Sequence, residues 1–191
     1  ATAPLRGLDP VSLAIGAAAA LALFRYKAGV IPVILASGPA GLAARLTLGG
    51  TTLTMYLTPG HTLGTISTFI PVTDGGKPHV AAAWGGTAFN WLENRAGYIT
   101  PDRPDQFWFQ NYSRSAQRFR DIVAKAGADV LISNHTNYDG SKTKLPAVIR
   151  RKAGDPNSYV IGNDSVKRYL TVAGECAEAG VRIETNAKVE S

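Results

Sequence analysis

The chain has 191 residues, of which 45% are hydrophobic and 8% aromatic, so a packed core can form and global disorder is excluded. Only 18% are charged, and 20 glycines with 11 prolines rule out a long coiled coil. Twenty Lys and Arg against 14 Asp and Glu give a net charge of +6, which admits anionic partners but falls short of a dedicated nucleic-acid binder.

The longest apolar run, residues 11–24, is shorter than the roughly 20 residues a bilayer span needs, so no membrane segment is expected. Asp9 and Pro10 precede it and no basic cluster leads into it, which is unlike a signal peptide. This run reads as a helix with Ser12 near its start, followed by a buried strand over 30–36 and a turn at Gly38 and Pro39. Residues 1–46 form an Ala-, Gly- and Pro-rich segment, and 47–191 read as one globular domain.

From Leu46 the pattern sharpens. Gly49 and Gly50 make a turn, and 51–57 alternate as a strand stopped by Thr58, Pro59 and Gly60. A β-branched strand over 65–72, a turn at Asp74, Gly75 and Gly76, and an Ala-rich strand over 79–84 follow, so three sequential strands predict an antiparallel sheet. Residues 90–104 read as a loop. A helix over 105–126 places Tyr112, Ala116, Phe119 and Val123 on one face and is closed by Gly127. A short strand over 129–133 precedes a helix over 141–152, which tolerates Pro146 only near its first turn. Asn163 or Asp164 caps a last helix through Glu178, with Val166, Leu170, Ala173 and Ala177 on one face and Gly180 as its stop. Strands first, then alternating helix and strand, give a layered α+β fold.

One cysteine, Cys176, excludes an intrachain disulfide and a multi-cysteine zinc finger, so a metal would have to be held by His and carboxylates. Cys176 reads as a buried thiol on the apolar side of the last helix. Three histidines exist. His61, in TPGHTLGTIS, and His135, in DVLISNHTNYDG, both follow a strand end, where edge loops bring distant positions together and two imidazoles converge on a metal or serve separately as loop side chains. His79 starts its strand, at the opposite end from such a rim, and reads as structural. Ser133, Asn134, Asn137 and Tyr138 flank His135, either as substrate contacts and imidazole-orienting groups or as Asx-turn formers. Trp84, Phe89, Trp91, Phe107 and Trp108 either line an apolar pocket or fill the core. No G-x-S-x-G elbow and no phosphate loop occur.

The strings taken together carry a resemblance. LGGTTLTMYLTPGHTLGTIS, residues 48–67, resembles the third metal motif of the metallo-β-lactamase-fold hydrolases, with His61 at the ligand position. LISNHTNYDG, residues 131–140, resembles the last metal motif, with His135 at the position of a ligand to the second zinc. VAAAWGGTAFN, residues 80–90, stands where many members carry a bridging Asp or Cys and offers only Gly85, Gly86 and Thr87, which resembles the subclass without that ligand. The likeness runs over residues 46–183.

The resemblance implies an αβ/βα sandwich, incomplete in its N-terminal half, and a hydrolase in which water activated by two zinc ions attacks an amide, ester or β-lactam bond without a protein nucleophile. It further implies a small-molecule substrate and a periplasmic or secreted location; the residues themselves offer Ser133, Asn134 and Tyr138 as its contacts, and the short apolar run and modest charge speak against membrane and nucleic-acid partners. One departure stands against it: the family's H-x-H-x-D-H cluster is absent, since no histidine precedes His61 and Asp9 is the sole acidic residue before Asp74. A zinc site takes about three protein ligands plus water. Three readings follow: the whole protein has further residues upstream of Leu46, a partner chain completes the fold, or the chain is a metal-free scaffold that binds a ligand or partner.

Overall fold

The computed structural model describes residues 43–189 and the single position Ala14. The helix expected over 11–24, apart from Ala14, the strand over 30–36 and the turn at Gly38 and Pro39 lie outside the described residues. Four antiparallel strands come first: β1 (Ala43–Leu48), β2 (Thr51–Leu57), β3 (Ile66–Asp74) and β4 (Lys77–Ala83). β5 (Val130–Ile132) then adds parallel to β4, giving the order β1-β2-β3-β4-β5. The antiparallel expectation holds, and the sheet also has a strand, β1, that starts three residues before the recognisable pattern. Two-residue hairpins at Gly49-Gly50 and Gly75-Gly76 close it, with φ of 55° and 84° and of 54° and 82°, the left-handed pairs that such turns require.

Helices α1 (Asn90–Glu93) and α2 (Arg95–Tyr98) replace the loop expected over 90–104; the side chain of Asn94 accepts from Gly97 N and starts α2. α3 (Asp105–Ala126) has the expected bounds and ends on Gly127 in the left-handed conformation. α4 (Thr136–Asp139) and α5 (Ser141–Arg150) follow β5. α5 stops at Arg150 and not at Lys152, and Pro146 sits in its second turn and not in its first.

α6 (Asn163–Val189) runs well past Gly180. That glycine marks contact and not termination: a Cβ there would lie 2.4 Å from Phe109 Cε1, so its absence lets α6 settle on the Phe109 ring. Asn163 does not cap α6 either; its Nδ2 donates to the carbonyls of Val123 and Ala128, tying the start of α6 to the end of α3. Cys176 is exposed, because the buried face of α6 is carried by Val166, Leu170 and Ala177 and residue 176 lies one helical step away from it.

α3 and α6 pack together and cover one face of the sheet. Ala116, Phe119, Val123, Val166, Leu170 and Ala177 are fully buried there, and Phe119 lies 5.3 Å from Phe69 of β3 and 5.7 Å from Trp84. Trp84, Trp91 and Trp108 belong to this core, and Phe89 and Phe107 pack against it, so the aromatic group fills the interior. Among the described residues no helix is long and apolar enough to cross a membrane.

Candidate functional site

Because β2 and β4 are both antiparallel to β3, and β5 is parallel to β4, the C-terminal ends of β2, β4 and β5 lie on one rim of the sheet. His61 leaves that rim after β2, the Trp84–Asn90 stretch after β4, and His135 after β5. His79, near the start of β4, sits at the far end; its Nδ1 is 2.6 Å from Asp129 Oδ2, and Asp129 Oδ1 accepts from Val80 N. The structural reading of His79 therefore has a partner that its own sequence neighbourhood does not show.

The loop carrying His61 is tightly held. Thr58, fully buried, pairs its hydroxyl with Ser67 at 2.8 Å, Ser115 Oγ donates to Pro59 O at 2.6 Å, and Thr62 N donates to Thr65 Oγ1 at 2.8 Å. Gly60, at φ 152°, lies so close to α3 that a Cβ would come within 2.6 Å of Tyr112 Cα. The imidazole of His61 then meets the β4 exit. Its Nδ1–H donates to Ala88 O at 2.9 Å, and its Nε2 accepts from Asn90 Nδ2 at 3.1 Å. Asn90 Nδ2 also donates to Tyr98 Oη at 3.2 Å.

The β4 exit is anchored in turn from below. The Tyr112 hydroxyl donates to Gly86 O in a short contact and accepts from Trp84 Nε1 at 3.4 Å; burial pushes its pKa up to about 12, so it stays a donor throughout the neutral range. Gly85 N donates to Ser67 Oγ at 3.1 Å. Thr87, in the stretch where the resemblance places a bridging carboxylate or thiolate, buries its Oγ1 with no hydrogen-bond partner.

His135 is exposed at the N-terminal end of α4, its backbone N–H donating to Ser133 Oγ at 3.2 Å and its ring edge-on to Tyr138 at 6.1 Å. Ser133 Oγ donates to Asn134 Oδ1 at 3.3 Å. Beneath them the buried Asp139 accepts from Ser133 N at 2.9 Å and Ser141 N at 2.8 Å. Burial alone would raise the Asp139 pKa, but the hydrogen bonds from Ser141 and Ser133 and the charge of Lys144 outweigh it and hold the carboxylate below its ordinary value.

Ser133, Asn134, His135 and Tyr138 are thus one cluster, and His61 belongs to another, built with Ala88, Asn90 and Tyr98. The two share a rim, but three inter-strand steps of about 4.8 Å put their strands about 14 Å apart. Among the described residues no group of three or more His, Cys, Asp or Glu is placed to hold a metal ion. The residues present do not fit a complete zinc site: His61 offers one nitrogen, already met by an amide N–H, and His135 another. Asn90 and Tyr98 were not legible as site residues, since nothing in a polar residue 29 positions after His61 marks it as that ring's partner.

Neither protein-family models nor curated protein sequences match the chain. Solved structures do. BJP-1, a subclass B3 metallo-β-lactamase of Bradyrhizobium japonicum, is 27% identical at a TM-score of 0.53 over 76% of this chain and 50% of its own. The FEZ-1 metallo-β-lactamase from Legionella gormanii is 24% identical at a TM-score of 0.58 over 75% and 50%. MEM-A1, a subclass B3 enzyme from a soil metagenome library, is 20% identical at a TM-score of 0.52 over 76% and 51%. The chain therefore spans about half the length of the structures it matches. The mixed five-stranded sheet with its helix pair, matched to BJP-1 at 27% identity over 76% of this chain, has the fold of the metallo-β-lactamase superfamily.

Proposed function

We propose that the chain is part of a zinc-dependent hydrolase of amide, ester or β-lactam bonds, with His61 and His135 among its zinc ligands and the remaining ligands supplied by polypeptide outside the described residues. The observation that carries this reading is the orientation of His61: its Nδ1–H is committed to a backbone carbonyl, which fixes the tautomer and leaves Nε2 as the lone-pair nitrogen at the rim. Zinc held with the help of these two histidines would supply hydroxide at neutral pH and polarise a carbonyl. This chain's own part is to hold the two imidazoles on rigid loops and to offer Ser133, Asn134 and Tyr138 beside His135 as substrate contacts. Two zinc ions, a small-molecule substrate and a periplasmic or secreted setting go with this reading.

A second reading, a metal-free scaffold that binds a ligand or a partner chain, is favoured by the same amide on Nε2 and by the absence of a three-ligand group among the described residues. Zinc content and turnover of a chromogenic β-lactam by the intact protein separate the two. Bound zinc, chelator-sensitive turnover and loss of both in His61→Ala support the hydrolase; protein that takes up no zinc and turns nothing over leaves the scaffold.

A further inference from the structure

On the helix side of the sheet, between α3 and β2, lies a cavity of about 480 Å³ lined by Tyr56, Arg118, Ile122, Lys125 and Ala126. Small-molecule sites run from roughly 300 to 1,000 Å³. Tyr56 stands edge-on to Phe69 at 5.3 Å and lies 5.9 Å from Phe119, so its ring is fixed, while its hydroxyl makes no hydrogen bond among the described residues. Arg118 Nη1 donates to Leu57 O at 3.1 Å, which leaves the other donors of its guanidinium open. Arg45 comes from β1: it pairs with Thr54, two residues from Tyr56 on the same face, a diagonal step of about 7–8 Å that an arginine can span. Burial raises the Tyr56 pKa while the charges of Arg45 and Arg118 act against it, so both guanidinium groups lie within electrostatic reach of the phenol.

Two cations thus line the cavity and a third stands near its phenol, no carboxylate lines it, and none of the three is in an ion pair among the described residues. The dipole of α3 accounts for Lys125 in its last turn, but not for Arg118 two turns earlier or for Arg45 on another element. Ile122 and Ala126 give the same cavity an apolar wall. We propose that it binds a small amphiphilic carboxylate. The head is held by the Arg118 fork, the Tyr56 hydroxyl and the charges of Arg45 and Lys125, and the apolar body lies against Ile122 and Ala126. A guanidinium fork matches a carboxylate bidentately. An αβ/βα sandwich stacks helix, sheet, sheet and helix, so the layer that covers the other face of the sheet does not reach a cavity on the helix side. The site uses neither His61 nor His135 and is independent of the metal and of the hydrolase reading.

Saturation-transfer NMR on the intact protein, with a neutral chelator present so that no metal competes for the carboxylate, should detect binding of octanoate. Its dissociation constant should rise about tenfold in Arg118→Gln and in Arg45→Gln, each losing a charge-assisted contact, and stay within about twofold in Arg168→Gln, exposed on α6. Octanamide, the same hydrocarbon without the charge, should bind at least about tenfold more weakly than octanoate. Circular dichroism checks the fold of each variant. Should either arginine variant fail to fold, Lys125→Gln, exposed in the last turn of α3, reads the same site as a several-fold weakening. Three results would overturn the proposal: no binding of octanoate, octanamide bound as tightly as octanoate, or octanoate binding that Arg118→Gln, Arg45→Gln and Lys125→Gln all leave unchanged. The last two would put the hydrocarbon on an apolar surface elsewhere.

Discussion

Both ring nitrogens of His61 are engaged, Nδ1 as donor to Ala88 O and Nε2 as acceptor from Asn90, and the second bond is the one an incoming cation has to displace. Asn90→Ala should therefore expose Nε2. Acylation of that nitrogen by diethylpyrocarbonate, followed by mass spectrometry, should run about fivefold faster in the variant, the equivalent of one neutral hydrogen bond of about 1 kcal/mol. An unchanged rate would show that Asn90 does not guard the ring. His61 itself was legible because a Thr-Pro-Gly stop fixes where the strand ends and hence where the next side chain emerges. Its guard was not, because a contact between two loops depends on sheet order, and strand alternation carries no information about order. The same blindness covers Asp129, whose pairing with His79 joins residues 50 positions apart.

At the scale of elements, the rim loops are held by single buried groups that lie under them. Tyr112 of α3 supports the β4 exit; Tyr112→Phe leaves Gly86 O without its donor and Trp84 Nε1 without its acceptor, at a cost of about 1–3 kcal/mol in urea unfolding. Its pKa is raised from 10.0 to about 12, so the folded state holds the proton longer than the unfolded one. The stability this contributes is full below pH 10.0, drains away as pH climbs toward about 12, and should be missing from the alkaline profile of Tyr112→Phe. Asp139 does the same for the loop of His135 with the opposite sign. Its depressed pKa contributes stability above the ordinary carboxylate range that is lost as pH falls below it, so wild type and Asp139→Asn should differ by about 1–3 kcal/mol at neutral pH and converge in acid. Helical periodicity identified the buried faces of α3 and α6 residue by residue, because burial repeats every 3.6 residues whatever the ends do. Ends were read less well: Gly180 and Asn163 carry the composition of a stop and a cap but are used for contact with Phe109 and with the end of α3.

For the molecule as a whole, the sandwich named by the motifs is present as one sheet with its helix pair, and two sequence strings sufficed for the superfamily because each couples a strand end to a ligand-type residue. What those strings do not contain decides the metal chemistry of the 191-residue chain. Its three histidines are His61, His135 and His79, the last hydrogen-bonded to Asp129 at the far end of the sheet, and the 42 residues before the sheet hold no histidine or cysteine and one acidic residue, Asp9. A complete site saturated at 100 times its dissociation constant stabilises a fold by about 2.7 kcal/mol, which for a chain of this size raises the melting temperature by roughly 5–10 °C. Among the described residues no group of three or more His, Cys, Asp or Glu is placed to hold a cation. Zinc should therefore move the melting temperature of this chain by no more than about 2 °C, measured by scanning calorimetry with and without a chelator. A rise of the larger size that disappears in His61→Ala would mean that the chain assembles its own third ligand, and Asp9 would be the first to substitute.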